Sequence, residues 1–377
     1  MYNRRILLIL NDLRMGGSER QLLLLAPYLI DQGWSVTVVS LAGQGPLHQN
    51  FAESGVECRT IHLRYPWSLY HLPFYLLRLL FFLRSLRPDV ILPYTSVPNV
   101  YCSLIWKRTS ARLCIWNQRS AGVGRLRPFL ERIAVQQASG FISNSTSGRD
   151  FLEHELGVPP EKVNVIHNGV LLPGCDAPKG QWRIKLNLSR NDIIACMIGN
   201  FRAPKDHATL IQAWARVVNQ YDSFKGRPVL FLVGRNDTTE EVVKHQVARL
   251  KLDNFVHFLG YQPDIFSVLQ DTDLGVFSSL SEGLPNGVLE CMAAGLPFVG
   301  TDLPGVRECL PWEQFPYLAQ SGNADEFAHK VLRLITDKKE RKQLGELNRS
   351  RIATQFSVES MAHKTLQAIE QKRILLC

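Results

Sequence analysis

Short apolar runs alternate with longer amphipathic stretches along this chain, and the alternation runs its course twice. Residues 5–11 (RILLILN) read as a buried strand, and residues 18–31, with Leu22, Leu25, Ala26 and Leu29 at helical spacing, as a helix. Residues 35–41 (SVTVVSL), 56–63, 89–93, 112–116 and 140–144 read as further strands, with a helix over 70–85. The Pro/Gly-rich stretch 172–180 (LPGCDAPKG) breaks the pattern and marks the linker. After it, strands at 192–199, 229–233, 256–259, 274–277 and 298–300 are predicted among helices at 208–221, 239–250 and 287–294, with a helical tail over 324–336, 338–352 and 357–373. Strands separated by helices imply parallel sheets, and 377 residues exceed one ordinary domain. The prediction is therefore α/β: two doubly wound units in tandem, with ligands beyond the carboxyl ends of the strands and the cleft between units as the expected site.

The eight cysteines include no CxxC pair and are joined by no His cluster, so they read as buried, reduced small hydrophobes rather than a zinc or redox site. The apolar run after Arg5 stops at Asn11-Asp12, too short for a secretory leader, and the longest apolar stretch, residues 72–83, is interrupted by Arg78 and too short to span a bilayer. A cytoplasmic protein is expected. The net charge of +9 is uneven. Residues 1–175 hold 18 Lys and Arg against 11 Asp and Glu, 16 of the 18 being arginine, while the remainder is nearly neutral. An anionic partner for the first unit is expected; no nucleic-acid-binding motif accompanies the charge, so nucleic acid is not the expected partner.

The segment carrying most chemistry is 278–295, SSLSEGLPNGVLECMAAG. Glu282 falls in a loop after an apolar strand, and Glu290, eight residues on, inside the next helix. Glycines between them let backbone approach a ligand. The helix start offers free N–H groups and a positive dipole end to an anion such as a diphosphate. Either carboxylate can accept two hydroxyl hydrogen bonds from a sugar or ribose.

This segment resembles the E-x7-E signature of the retaining glycosyltransferases of family 4, which have the GT-B fold of two Rossmann-like domains facing a cleft. The match runs through Glu282, Gly283, Pro285, Leu289, Glu290, Met292, Ala293, Gly295 and Pro297. The resemblance implies that Glu282 contacts the transferred sugar and supports charge at the anomeric centre, and that Glu290 holds the ribose. It implies further donor contacts at Gly16, Gly17, Asn200, Tyr261, Gly283, Leu284, Pro285, Asn286 and Leu289. Residues 199–207 (GNFRAPKDH) resemble the segment that neutralises the donor diphosphate: Lys205 is in register, but the usual arginine position holds Asn200, with Arg202 two residues later as its substitute. Asn168-Gly169-Val170 resembles the family's turn before the linker, Phe258–Tyr261 and Asp264 its nucleobase-reading loop, and Asn144-Ser145 a strand end at the cleft. Asp271-Thr272-Asp273 matches a metal-binding mark of another glycosyltransferase fold, yet lies between a helix and a buried strand and reads as a plain connection; no metal is expected.

Many family members carry a histidine in the first domain, near the sugar. Neither VILPYTSVPN after Arg87-Pro88-Asp89 nor the next strand end, Asn117-Gln118-Arg119, holds one, and Asn117, Arg119 and Asn144 are the candidates for that acceptor-side wall. The stretch 72–87 combines Phe74, Tyr75, Phe81 and Phe82 with Arg78, Arg84 and Arg87. It reads either as a surface helix resting on anionic membrane or as a core helix with arginine at its solvated end; a second basic cluster runs from Lys107 through Arg125 to Arg132. The expected organisation is an acceptor-binding domain over 1–175, a nucleotide-sugar domain over 176–355 and a helix over 356–377 crossing back to the first. The resemblance implies transfer of a hexose, glucose or N-acetylglucosamine favoured, from a UDP-sugar to a glycan or lipid-linked acceptor in surface polysaccharide or glycolipid assembly, at the inner face of the membrane. An epimerase or phosphorylase on the same fold and a non-catalytic nucleotide-sugar-binding scaffold are the alternatives.

Overall fold

In each unit the central strands are the segments whose side chains are buried on both faces, as a parallel sheet covered by helices requires, while strands at the sheet edges are more exposed. The computed structural model describes residues 4–374 apart from 15, 44, 64–68, 123–126, 175–178 and 222–225, so part of the expected linker and Arg125 lie outside the described residues. One unit runs to Gly169 and resumes at Val358; the other is Val170–Ser357. The boundary expected at 175/176 compares with a division at Gly169/Val170. Val170 donates its N–H to the Phe356 carbonyl and bridges Ser357, which ties residues from 170 onward to the second unit.

The first unit alternates β1 (Arg5–Leu10), α1 (Gly17–Asp31), β2 (Ser35–Ser40), α2 (Leu47–Glu53), β3 (Glu57–Thr60), α3 (Leu72–Ser85), β4 (Val90–Pro93), α4 (Ser96–Ile105), β5 (Leu113–Gln118), α5 (Pro128–Val135), β6 (Gly140–Ser143), α6 (Thr146–His154) and β7 (Val163–Val165). Its sheet is parallel, in the order β3-β2-β1-β4-β5-β6-β7. Chain direction across the sheet reverses between β1 and β4, the switch point at which doubly wound sheets open a crevice. On one face Leu7, Ile9, Val39, Ile91, Cys114 and Trp116 pack with α3, α4, α5 and α6. On the other, Ile6, Leu8, Leu10, Val36, Val38 and Ile115 pack with α1 and α2. Helix α4, SVPNVYCSLI, does not show in the sequence pattern because Pro98 through Ser103 are all buried, which leaves no polar face to betray a helical period.

The second unit comprises α7 (Gln181–Lys185), β8 (Ile193–Ile198), α8 (His207–Gln220), β9 (Pro228–Val233), α9 (Glu240–Arg249), β10 (Val256–Gly260), α10 (Ile265–Leu269), β11 (Leu274–Phe277), α11 (Asn286–Ala293), β12 (Phe298–Thr301), α12 (Pro304–Cys309), β13 (Leu318–Ala319), α13 (Ala324–Thr336) and α14 (Lys338–Gln355). The order β10-β9-β8-β11-β12-β13 puts its switch point between β8 and β11. The last helix, α15 (Val358–Ile374), returns to the first unit, where Met361, Ala362, Ala368 and Ile369 join the core beside α1.

Gly169 explains the Asn-Gly-Val turn. A Cβ there would stand 2.8 Å from the Cα of Val358, at the start of α15. Its N–H and carbonyl are both held by the buried Gln21 side chain of α1, at 2.8 and 2.9 Å. Gln21 thus holds the backbone turn against which α15 begins. Gln21→Leu leaves two backbone groups buried without partners, each costing about 1–3 kcal/mol. The expected outcome is a lower urea midpoint for the variant, read by fluorescence.

Candidate functional site

The switch point of the second unit brings together the loops that follow β8 and β11. Pro204, in the first, accepts from Leu280 N–H at 2.8 Å and Ser279 Oγ at 2.7 Å in the second. Ser278 Oγ donates to the Asp206 carbonyl. Asp206 caps α8 through Thr209 N–H, so the two loops and the helix start form one connected piece.

On that piece Lys205 Nζ lies 2.6 Å from Glu282 Oε1, and Ser279 Oγ stands 2.6 Å from the same oxygen, its one hydrogen shared between that carboxylate and the Pro204 carbonyl. The lysine and glutamate side chains keep only 17% and 12% of their exposure. Lys205 also lies 4.5 Å from the centre of the Phe277 ring, so the ion pair rests on apolar ground at the end of β11. Two carbonyls of the Glu282–Gly283 loop face Gly305 of α12, where a Cβ would come within 1.9 Å of the Gly283 oxygen. A side chain at 305 would displace the loop that carries Glu282.

Helix α11 starts at Asn286, with Pro285 as the preceding extended residue. Gly287 packs against the end of β8, its Cβ position 2.4 Å from the Ile198 carbonyl, so the amino end of α11 lies beside Gly199 and Asn200. Glu290 is buried one turn in, near Cys196 and Cys291, whose thiols its charge helps to raise after burial itself. Leu284 and Leu289 are core residues of this unit. Tyr261 is 39% exposed, next to Gly260, whose φ of +66° suits glycine at the end of β10.

The arginine departure takes a specific form. Asn200 Oδ1 accepts from Arg235 N–H at 3.1 Å, which latches the loop after β8 to the loop after β9. Arg202 is directed at Asp237, 3.6 Å away, which also accepts from Arg235 Nε at 2.8 Å. Two arginines share one carboxylate, and Arg235 went unrecognised in sequence because GRND carries no chemical pattern of its own. Ser279 and Gly305 were missed for the same reason: their roles come from contacts with distant loops. The carboxylates of Asp271 and Asp273 are engaged elsewhere. Asp271 accepts from the N–H groups of Gly180, Trp182 and Arg183 at the start of α7, and Asp273 from Ile194 N–H and Arg183 Nη2.

In the first unit, the residues at the carboxyl ends of the strands include Gly16, Asn117, Arg119 and Asn144. Gly16 precedes α1, with Gly17 as its first residue, and Glu19 folds back so closely that a Cβ on Gly16 would meet its carboxylate at 2.4 Å. Arg119 donates to Asn168 Oδ1 at 2.9 Å and stacks 4.7 Å from the centre of the Tyr94 ring. Burial pulls its pKa down, against the charges of Tyr94 and Glu19. The Asn117 backbone is held by the Asn99 side chain. The Asn117 and Asn144 side-chain oxygens and Arg119 Nε are buried without a hydrogen-bond partner. Thr95, just before α4 at the β1/β4 switch point, has φ +69°, a backbone state costly for a β-branched residue.

His207, at the start of α8, is buried and stacks on Phe201 with ring centres 4.5 Å apart. Burial first, and the Lys205 charge second, push its pKa from 6.5 down to about 4. The unfolded chain therefore takes up this proton before the folded one. Its contribution is intact above pH 6.5 and is lost as pH falls toward 4, by up to about 3 kcal/mol. Chemical denaturation at steps between those pH values is expected to show this loss, and His207→Gln to flatten it.

Residues 15–172 match the model of Glycosyltransferase Family 4, and residues 192–337 that of Glycosyl transferases group 1, so the two together take in most of the chain. The chain is 25% identical to the lipopolysaccharide core biosynthesis glycosyltransferase LpsE of Rhizobium meliloti, over 95% of this chain and 96% of that one. It is 27% identical to the UDP-Gal:alpha-D-GlcNAc-diphosphoundecaprenol alpha-1,3-galactosyltransferase of Escherichia coli over 63% of this chain, spanning 61% of that relative's length. Among solved structures, Alr3699/HepE of Anabaena, in complex with UDP and glucose, has the same fold, with a TM-score of 0.83 at 19% identity over 98% of this chain and all of that one. With its two parallel-sheet units and these two matched domains, the chain is a glycosyltransferase of the GT-B type, similar to those of family 4.

Proposed function

We propose that this chain is a retaining glycosyltransferase that moves a hexose, glucose or N-acetylglucosamine favoured, from a UDP-sugar to a glycan or lipid-linked acceptor in surface polysaccharide or glycolipid assembly. The observation that carries this reading is the Lys205–Glu282 pair, 2.6 Å apart and oriented by Ser279 beside the amino end of α11. A donor diphosphate finds N–H groups and a positive dipole end at Asn286 and Gly287 and a cation at Lys205. Arg202 and Arg235 lie on the adjoining loops, held by Asp237. Once Lys205 has a phosphate to pair with, the Glu282 carboxylate is free to face the sugar, where it supports positive charge at the anomeric carbon. The C–O bond to the leaving phosphate breaks as the acceptor oxygen bonds from the same face. The departing phosphate oxygen takes the acceptor proton, so no protein base is required there. In this reading Glu290 accepts from the ribose hydroxyls. The cations carry the charge neutralisation, and transfer needs no metal. The support for UDP and glucose is the ligand pair named for the Anabaena structure, and for a lipid-linked acceptor the activity named for the Escherichia coli relative.

The test is product formation from UDP-sugars with a diphospho-lipid acceptor analogue. Glu282→Gln is expected to lower kcat about 10²- to 10³-fold with UDP affinity little changed, whereas Lys205→Ala lowers both. An α-linked product from an α-linked donor, read by NMR, supports retention; a β-linked product, or unchanged transfer by Glu282→Gln, overturns the mechanism. EDTA is expected to leave the rate unchanged, and its abolition of turnover would overturn the metal-free reading.

A further inference from the structure

Helix α3 is apolar on both sides. Leu72, Tyr75, Leu79, Leu80 and Leu83 face the core, which settles the sequence reading of a core helix for that side. The opposite face presents Phe74, Leu77 and Phe81, exposed at 70%, 51% and 65%. These positions fall along one stripe, and Arg84, one turn further, continues it. Two exposed phenylalanines and a leucine on one helix face form a contiguous patch of the kind that marks an interaction surface.

At the carboxyl end of α3 the stripe runs into a cleft of about 500 Å³ lined by Arg84, Arg87, Lys107, Arg108, Thr109 and Ser110. The cleft lies at the amino ends of β4 and β5, the opposite end of the sheet from Tyr94, Asn117 and Arg119. Four cations meet there with one carboxylate, Asp89, whose Oδ2 is engaged by Arg5 N–H at 3.0 Å. The neutral groups are also committed: Thr109 Oγ1 donates to the Trp106 carbonyl and Ser110 Oγ to the Pro88 carbonyl. No ion pair involves Arg84, Arg87, Lys107 or Arg108 among the described residues. The cleft thus keeps an uncompensated positive charge beside exposed aromatic rings.

We infer that the outer face of α3 and this basic cleft form one docking surface for an anionic phospholipid bilayer, with Phe74, Leu77 and Phe81 in the interfacial region and Arg84, Arg87, Lys107 and Arg108 on lipid phosphates. Aromatic rings beside lysine and arginine are the pairing that anionic interfaces select. Charge decides against a second copy of the chain as occupant, because a two-fold pairing through this face brings the same cations of both copies together. Among the described residues no helix is long and apolar enough to cross a membrane, so attachment here is peripheral. The surface lies outside the donor chemistry and gives the proposed lipid-linked acceptor a bilayer from which to be drawn.

The full chain is floated with vesicles of phosphatidylcholine alone or with 30 mol% phosphatidylglycerol (about a third anionic lipid), at low and high salt. Binding is expected only with phosphatidylglycerol, weakened by salt. It is expected to fall about tenfold or more in Phe74→Ser/Phe81→Ser and in Arg84→Gln/Arg87→Gln/Lys107→Gln/Arg108→Gln. UDP binding and the thermal transition, unchanged in both variants, show that they fold. No vesicle binding, equal binding to both lipids, or variants that bind like the parent chain overturns the inference. So does a dimer in light scattering that Phe74→Ser/Phe81→Ser abolishes. UDP-sugar hydrolysis without vesicles reports on the donor site alone, so failure of docking and failure of the proposed transfer are read separately.

Discussion

The site in the second unit depends on two carbonyls of the loop after β8, those of Pro204 and Asp206, the second of which receives Ser278 Oγ. Pro204 O receives both Leu280 N–H and Ser279 Oγ, and these two bonds join the loop after β8 to the loop after β11. Without that join, Lys205 and Glu282, 77 residues apart in sequence, have no reason to meet. A salt bridge between solvated side chains on separate loops contributes little. Here the Ser279 hydroxyl lies within hydrogen-bond distance of both the Pro204 carbonyl and Glu282 Oε1 and shares its one hydrogen between them, so the carboxylate is held beside the backbone that presents the lysine. The pair is ordered before any ligand arrives, which spares binding the cost of ordering it.

The glycines around this join have a second, steric role. Gly305 lets α12 press against the Gly283 carbonyl, Gly287 lets α11 press against β8, and Gly234 lets the loop after β9 come within 2.1 Å, measured from its Cβ position, of the Gly199 oxygen. Three loops and two helix starts converge more closely than side chains allow. This packing gathers the amino end of α11 and the side chains of Lys205, Arg202 and Arg235 on adjoining loops.

Sequence made some of this legible. The central strands showed because parallel strands buried on both faces are continuous apolar runs, whereas the edge strands β7 and β13, three and two residues long, did not; Glu282, Glu290 and Lys205 drew notice because their spacing recurs in a known pattern. Helix α4 stayed hidden because burial on all sides erases periodicity. The side-chain direction of Arg202 was equally hidden, since it depends on Asp237, 35 residues away on another loop. Asn200 is the clearest case. In sequence it is an arginine missing from a motif; in the structure it is the latch to Arg235 N–H. Local spacing reports which residues share a loop, whereas what a loop residue touches is set by sheet order.

The first unit uses the same topology with a different result. At its carboxyl ends the polar groups are not mutually satisfied: the side-chain oxygens of Asn117 and Asn144 and the Nε of Arg119 are buried and unbonded. Each such group costs about 1–3 kcal/mol in a folded chain. Thr95, in a left-handed backbone state at the same switch point, adds a cost of similar size. The neighbouring groups engage these residues at other atoms: Asn99 spends its amide on the Asn117 backbone, Asn168 accepts from Arg119, and the Tyr94 hydroxyl is hydrogen-bonded by the Arg119 and Asn117 side chains. In the second unit the charged groups at the switch point, Lys205 and Glu282, are paired with each other. In the first the corresponding strand ends carry Asn117, Arg119 and Asn144 and hold no such ion pair among the described residues, so one sheet design presents a paired lysine and glutamate in one unit and buried amides with an arginine in the other.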